Sequence, residues 1–164
     1  MVTIVFGLPG SGKSYFASRL AERISARYIS SDRVRMEMLP VRTYSEEEKM
    51  LVYKEMLNRV REAEIRNMDV VLDATFYKDA IRKQFLEGIK SPIRWIEVTA
   101  DERTIHRRLQ RSRETSEADY KAYLKIREQW EPLVDDHLVL HSDDNNIEAM
   151  LKTAVHYLST PNDQ

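Results

Sequence analysis

The chemistry legible in this sequence begins with a lysine and a hydroxyl. Lys13 and Ser14 end the string Gly7-Leu8-Pro9-Gly10-Ser11-Gly12-Lys13-Ser14, which fits G-x-x-x-x-G-K-[ST] in full. Glycines at these places let backbone N–H groups fold around a phosphate, and a helix starting behind them adds its positive N-terminal end. Lys13 then reaches the β- and γ-phosphates of a nucleoside triphosphate, and the Ser14 hydroxyl ligates Mg²⁺. The nucleotide-binding candidates are therefore Gly7, Leu8, Pro9, Gly10, Ser11, Gly12, Lys13, Ser14 and the adjacent Tyr15, with ATP and Mg²⁺ as the expected cofactors. The competing reading is a glycine-rich turn that happens to precede a helix. Switches and transporters use the same loop, so it points to nucleotide binding and not by itself to catalysis. No Asn-Lys-x-Asp string is present, which argues against a GTPase switch.

A second group of residues suits an acceptor. Asp32 is expected to end a short strand, with Arg35 one helical turn on. A carboxylate there can take the proton of an attacking hydroxyl, and an arginine beside it can hold an anionic acceptor group. Asp before a short helix is also a common N-cap, and the two roles coexist only if one carboxylate oxygen stays free. Asp73 follows the buried-type run Val70-Val71-Leu72 and is followed by Ala74 and Thr75. It suits an acceptor hydroxyl or Mg²⁺ held through water, against a plain strand-end turn. Thr75 joins it as an acceptor-side candidate.

A third group is cationic. The segment 101–113 holds Arg103, Arg107, Arg108, Arg111 and Arg113. Read as one helix, it puts Arg107 and Arg111 on a shared face with Arg108 beside Arg111. Planar guanidinium forks match phosphate oxygens, so these residues suit a lid over the charge that develops during phosphoryl transfer. A solvated basic helix face is the alternative.

The elements that must position these groups alternate. Strands are expected at 2–6, 28–31, 69–73, 93–98 and 137–141, with helices between them and a last helix at 145–158. Ser45-Glu46-Glu47-Glu48 reads as a capping box, Glu48 reaching back to the Ser45 amide, before a long helix whose inner face carries Tyr53, Met56, Leu57 and Val60. Such alternation implies an α/β fold with a parallel sheet covered on both faces, and a ligand site at the carboxyl ends of its strands. Asp143-Asp144 reads as a solvated turn, and His137 with His141 lacks a third zinc ligand.

Taken in order, Gly7–Ser14, Asp32-x-x-Arg35, the strand end Val70–Thr75 and the arginine-rich helix before Ser116 resemble a P-loop kinase group. That group contains the polynucleotide 5′-hydroxyl kinases and, more distantly, gluconate kinases and zeta toxins. The resemblance runs over about residues 1–158, nearly the whole of the 164. It implies a three-layer P-loop NTPase fold, a five-stranded parallel sheet of order 2-3-1-4-5, and an arginine-bearing lid. It implies that Asp32 is the general base for a 5′-OH and that Arg35 contacts the acceptor phosphate. The strand order puts the end of strand two about 9–10 Å from the strand before the phosphate loop, two strand spacings. Relatives of this kind often carry phosphatase or ligase domains. Neither an Asp-x-Asp-x-Thr nor a Lys-x-Asp-Gly signature occurs, so one kinase domain (1–158) with a polar tail (159–164) is expected.

Composition bounds the rest. Lys and Arg number 26 against 27 Asp and Glu, net −1, which excludes binding driven by bulk positive charge but not a local basic groove. There is no cysteine, hence no disulfide and no thiolate site, in keeping with a reducing cytoplasmic setting. No apolar run approaches the roughly 20 residues of a membrane span. The first expectation is thus an ATP- and Mg²⁺-dependent kinase acting on the 5′-OH end of DNA or RNA. The second is a kinase of a small acceptor such as a sugar, nucleoside or nucleotide-sugar, and the third a non-catalytic nucleotide-binding module. No obligate protein partner is evident.

Overall fold

Every residue of Val2–Phe6 (β1) is buried, as its continuous apolar run requires of a strand covered on both faces. The computed structural model describes residues 1–111 and 116–161; Arg113 and the tail residues 162–164 lie outside them. Four further strands join β1: Arg27–Ser30 (β2), Val70–Asp73 (β3), Ile93–Thr99 (β4) and Leu138–His141 (β5). All pairings are parallel and the order is β2-β3-β1-β4-β5.

Alternation along the strands builds two cores. Ile4 and Phe6 face one side, with Leu72, Met56, Val60 and Phe85. Val5 faces the other, with Val71, Ile96, Phe16, Leu20 and Leu151. The first layer is supplied by Glu46–Ile65 (α3) and Asp79–Gly88 (α4), the second by Lys13–Arg23 (α1) and Ile147–Ser159 (α7). On the expected inner face of α3, Tyr53, Met56 and Val60 are buried and Leu57 partly so. The remaining helices are Ser31–Met38 (α2), Glu102–Leu109 (α5) and Ser116–Glu128 (α6).

Three local expectations are corrected. Helix α2 starts at Ser31, and its N-cap is Ser30, whose hydroxyl accepts from the Arg33 amide at 3.5 Å. Asp32 is therefore in the first turn and is not the cap. Helix α5 ends at Leu109 with Gln110 as its C-cap, so Arg111 stands in a turn and shares no helical face with Arg107. The box at α3 is half formed. Ser45 Oγ accepts from the Glu48 amide at 3.2 Å, but the Glu48 carboxylate reaches past Ser45 to the Thr43 amide (2.6 Å) and hydroxyl (2.9 Å).

Among the described residues no helix is long and apolar enough to cross a membrane.

Candidate active site

Register lines up the carboxyl ends of the central strands. Asp73 pairs with Val5 on one side and with Ser30 on the other, so the phosphate loop after β1 and helix α2 after β2 flank the same carboxylate. The loop depends on two glycines in different ways. Gly12 has φ +90°, a left-handed conformation that a side chain strains, and a Cβ there would meet Ser142 Oγ at 2.8 Å. Gly7 lies so close to the Val98 carbonyl and Ser11 Oγ that any Cβ would overlap them. Because Gly12 caps α1 without a side-chain hydrogen bond, the first-turn amides keep their donors for a ligand. Those donors and the helix dipole make an anion site. Lys13 folds over this loop, its Nζ 3.5 Å from the Leu8 carbonyl.

Asp73 is almost fully buried. Its Oδ2 accepts from the Tyr28 hydroxyl at 2.5 Å. Burial pushes its carboxyl up, while Lys13, Tyr28 and the hydrogen-bonded Ser14 hydroxyl oppose that rise and Asp32 adds to it. The phenol of Tyr28 is driven well above its ordinary range, first by burial and then by the Asp73 charge. The hydroxyl of Ser14 and the carboxylate of Asp73 form an all-oxygen donor pair in mutual contact, which fits Mg²⁺ with substrate phosphates and water completing its shell.

Across a cleft of about 590 Å³ from Lys13 and Ser14 stand Asp32, Arg35 and Thr75. Asp32 is 78% exposed, and its one ion pair among the described residues is the loose contact with Arg35 at 3.4 Å. Arg35 is 10% exposed and meets the buried Glu48 at 3.1 Å. Burial alone would raise Glu48, but the Thr43 amide and hydroxyl, the Tyr44 amide and Arg35 outweigh it and hold Glu48 below the usual carboxylate range. Glu48 thereby clamps the turn before α3 against Arg35, whose guanidinium also lies 4.9 Å from the Tyr44 ring. Thr75 Oγ1 lies 3.5 Å from the Tyr53 hydroxyl.

The arginines divide. Arg108, 17% exposed, reaches the loop itself: its Nη1 donates to the Gly10 carbonyl (3.3 Å) and to Ser142 Oγ (2.9 Å). Arg107, 55% exposed, turns to Asp144. Asp144 receives both Arg107 and Arg108, so the turn expected to be merely solvated is an ion-pair node. Arg108 and Arg111 line a second cavity of about 450 Å³ with Gly12, Tyr15, Ser142 and Asn146, and none of Arg107, Arg108 and Arg111 lines the larger cleft. Tyr15 is exposed with the Arg19 guanidinium over its ring. His137 pairs with Glu97, and among the described residues no three His, Cys, Asp or Glu side chains could hold a metal together.

Residues that sequence reading missed are Tyr28, Glu48 in its clamping role, Ser142 and Asp144. Asp119, Ala122 and Ile126 of α6, which line the cleft, were also missed. Their signal lies in distant contacts, not in spacing.

Several solved structures of similar fold are kinases by name. One is a sugar kinase from Janibacter sp. (TM-score 0.74, 16% identity, 96% of this chain and 93% of that one). Another is a gluconokinase from Sinorhizobium meliloti (TM-score 0.67, 15% identity, 97% of each chain). A third is the APS kinase of Mycobacterium tuberculosis, solved with AMPPNP and APS (TM-score 0.78, 14% identity, 97% of each chain). At these identities the likeness is one of fold. No curated protein matches the sequence. Residues 2–133, which hold the phosphate loop, both aspartates and helices α5 and α6, match the family model described as AAA domain, and the chain belongs to that P-loop family.

Proposed function

We propose that this protein is an ATP- and Mg²⁺-dependent phosphotransferase that moves the γ-phosphoryl group onto the hydroxyl of a small acceptor. One observation carries the reading: Lys13, Ser14 and Asp73 line the same cleft as Asp32 and Arg35, and α6 adds Ala122 and Ile126 to its lining. A cleft walled by α2, α3 and α6 as well as the phosphate loop suits a small molecule, and the likeness to sugar, gluconate and APS kinases supports the same choice. The 5′-OH polynucleotide reading has no comparable support.

In this reading the triphosphate lies on the loop amides and Lys13, with base and ribose in the cavity between Arg108 and the β5–α7 turn. Asp32 accepts the proton of the acceptor hydroxyl as its oxygen bonds to the γ-phosphorus. The bond from that phosphorus to the β–γ bridging oxygen breaks, and ADP leaves. Mg²⁺, held by Ser14 and Asp73, neutralises phosphate charge when bound. Arg108, already on the loop, is better placed than Arg107 or Arg111 to stabilise the transferring group.

The test is labelled γ-phosphate transfer to sugars, sugar acids, nucleosides and 5′-OH oligonucleotides, with Lys13→Ala as control. Transfer to a small acceptor, lost in the control, is expected. Transfer to oligonucleotides alone would restore the polynucleotide reading, and nucleotide binding without any transfer would make the protein a passive module.

A further inference from the structure

We propose that the acceptor carries a phosphate or carboxylate besides its reacting hydroxyl, and that Arg42 and Lys49 bind this second group; the inference rests on the small-acceptor reading above. The segment from Asp32 to Tyr53 forms the acceptor-side wall of the cleft, and its charges are sorted. Three of its four cations, Arg35, Arg42 and Lys49, line the cleft, while Arg33 lies over the Tyr28 ring. Of its five carboxylates only Asp32 lines it. Glu37 turns to Arg59 at 2.7 Å, and Glu48 is taken up by Thr43 and Arg35. Glu46 and Glu47 border a separate groove between α3 and α4. Across the cleft α6 contributes one carboxylate, Asp119.

The cations are not equally free. Arg35 is neutralised by Glu48 and serves the wall itself. Lys49 is 20% exposed, with its Nζ 3.3 Å from the Tyr77 hydroxyl, which also lines the cleft. Its only carboxylate partner among the described residues is the exposed Glu46 at 3.4 Å, a contact that water screens. Arg42 has no ion-pair partner among the described residues. Two cations thus face the cleft with donors to spare. A guanidinium and an ammonium lining one cleft match the oxygens of a phosphate or carboxylate, whereas a neutral polyol would displace their water without returning the charge. The arrangement selects an anionic hydroxyl compound, a sugar acid or sugar phosphate, over a neutral sugar.

Titration calorimetry with Mg·AMPPNP present tests this with two matched pairs, D-gluconate against D-glucose and D-ribose 5-phosphate against D-ribose. The wild-type protein should bind at least one anion about tenfold or more tighter than its neutral partner. The pair showing the larger gap identifies carboxylate or phosphate as the recognised group. Arg42→Ala and Lys49→Met should each weaken that anion by about ten- to a hundredfold. Neither should move the neutral member, and Lys49→Arg should retain most of the preference. Equal affinities within both pairs, no detectable anion binding, or a preference that survives the double variant would overturn the inference. Transfer assays on the same compounds separate the two claims. Anion preference without transfer to any compound defeats the kinase reading and leaves the subsite standing, and transfer without preference does the reverse.

Discussion

At Asp73 one carboxylate meets two hydroxyls, those of Tyr28 and Ser14, and feels the favourable charge of Lys13. Burial disfavours its charge and these groups oppose that effect, while the Tyr28 hydroxyl takes up Oδ2. Tyr28 contributes only orientation, since its hydroxyl is spent on Asp73 and it does not line the cleft. Tyr28→Phe should therefore lower kcat by about 10–100-fold, the range seen when a ligand's supporting partner is removed. The Mg²⁺ concentration for half-maximal rate should rise with it. Unchanged kcat and unchanged Mg²⁺ dependence would reduce the contact to packing. Nothing in the sequence announces this pair. Tyr28 and Asp73 are 45 residues apart, and only the parallel register of β2 on β3 joins them. The eight-residue loop and the Asp32–Arg35 spacing were legible because their geometry is local. The cap of α2 was misread because Ser30 and Asp32 are both good cap formers, and the strand's end at Ser30 decided between them.

At the scale of elements, the turn between α2 and α3 is held by one buried side chain. Glu48 accepts from Thr43 and meets Arg35, so the acceptor-side wall hangs on its charge. Because its folded pKa is depressed, the stability it adds is fully present above the ordinary glutamate pKa of about 4.3 and is lost as pH falls through the lower folded value. Glu48→Gln should lower the melting temperature at pH 7, and the gap to wild type should narrow as pH falls below about 4.3. A gap independent of pH would mean that shape, not charge, holds the turn. Alternation of strands and helices was readable because each strand's apolar run and each helix's inner face recur in the sequence. The end of α5 was not, because Gln110 and Arg111 are both good helix formers and carry no stop signal. Which arginine reaches the loop was hidden for a different reason. Arg107 and Arg108 are adjacent, and Ser142 and Asp144, far along the chain, sort them.

For the molecule as a whole, the question is what ties the covering helices to the site. Arg82 is almost fully buried against the stacked Phe6 and Trp130 rings. It donates to the Phe76 carbonyl at 2.8 Å and the Glu131 carbonyl at 2.5 Å. The Glu131 amide returns to the Tyr77 carbonyl at 2.9 Å, and its carboxylate caps α4 through the Asp79 amide at 3.0 Å. The end of α6 is thus fastened to the loop that carries Thr75 and Tyr77. Arg82→Leu keeps the bulk but strands both carbonyls, and should cost about 2–4 kcal/mol in urea unfolding. A cost under about 0.5 kcal/mol, typical of surface changes, would contradict this. The sheet sets the distance across which transfer must occur, since β2 and β1 stand either side of β3. The central claim is that phosphate passes over that distance to a hydroxyl whose proton Asp32 accepts. The most direct measurement is turnover of Asp32→Asn with the acceptor found by the transfer panel, alongside its Mg·ATP affinity and melting temperature. Asn keeps the shape, and Ser30 rather than Asp32 caps α2, so stability should hold. Nucleotide affinity should stay near wild type because the phosphate loop is untouched. Turnover should fall by about 10²–10⁴-fold; full turnover in the Asn variant would contradict the account.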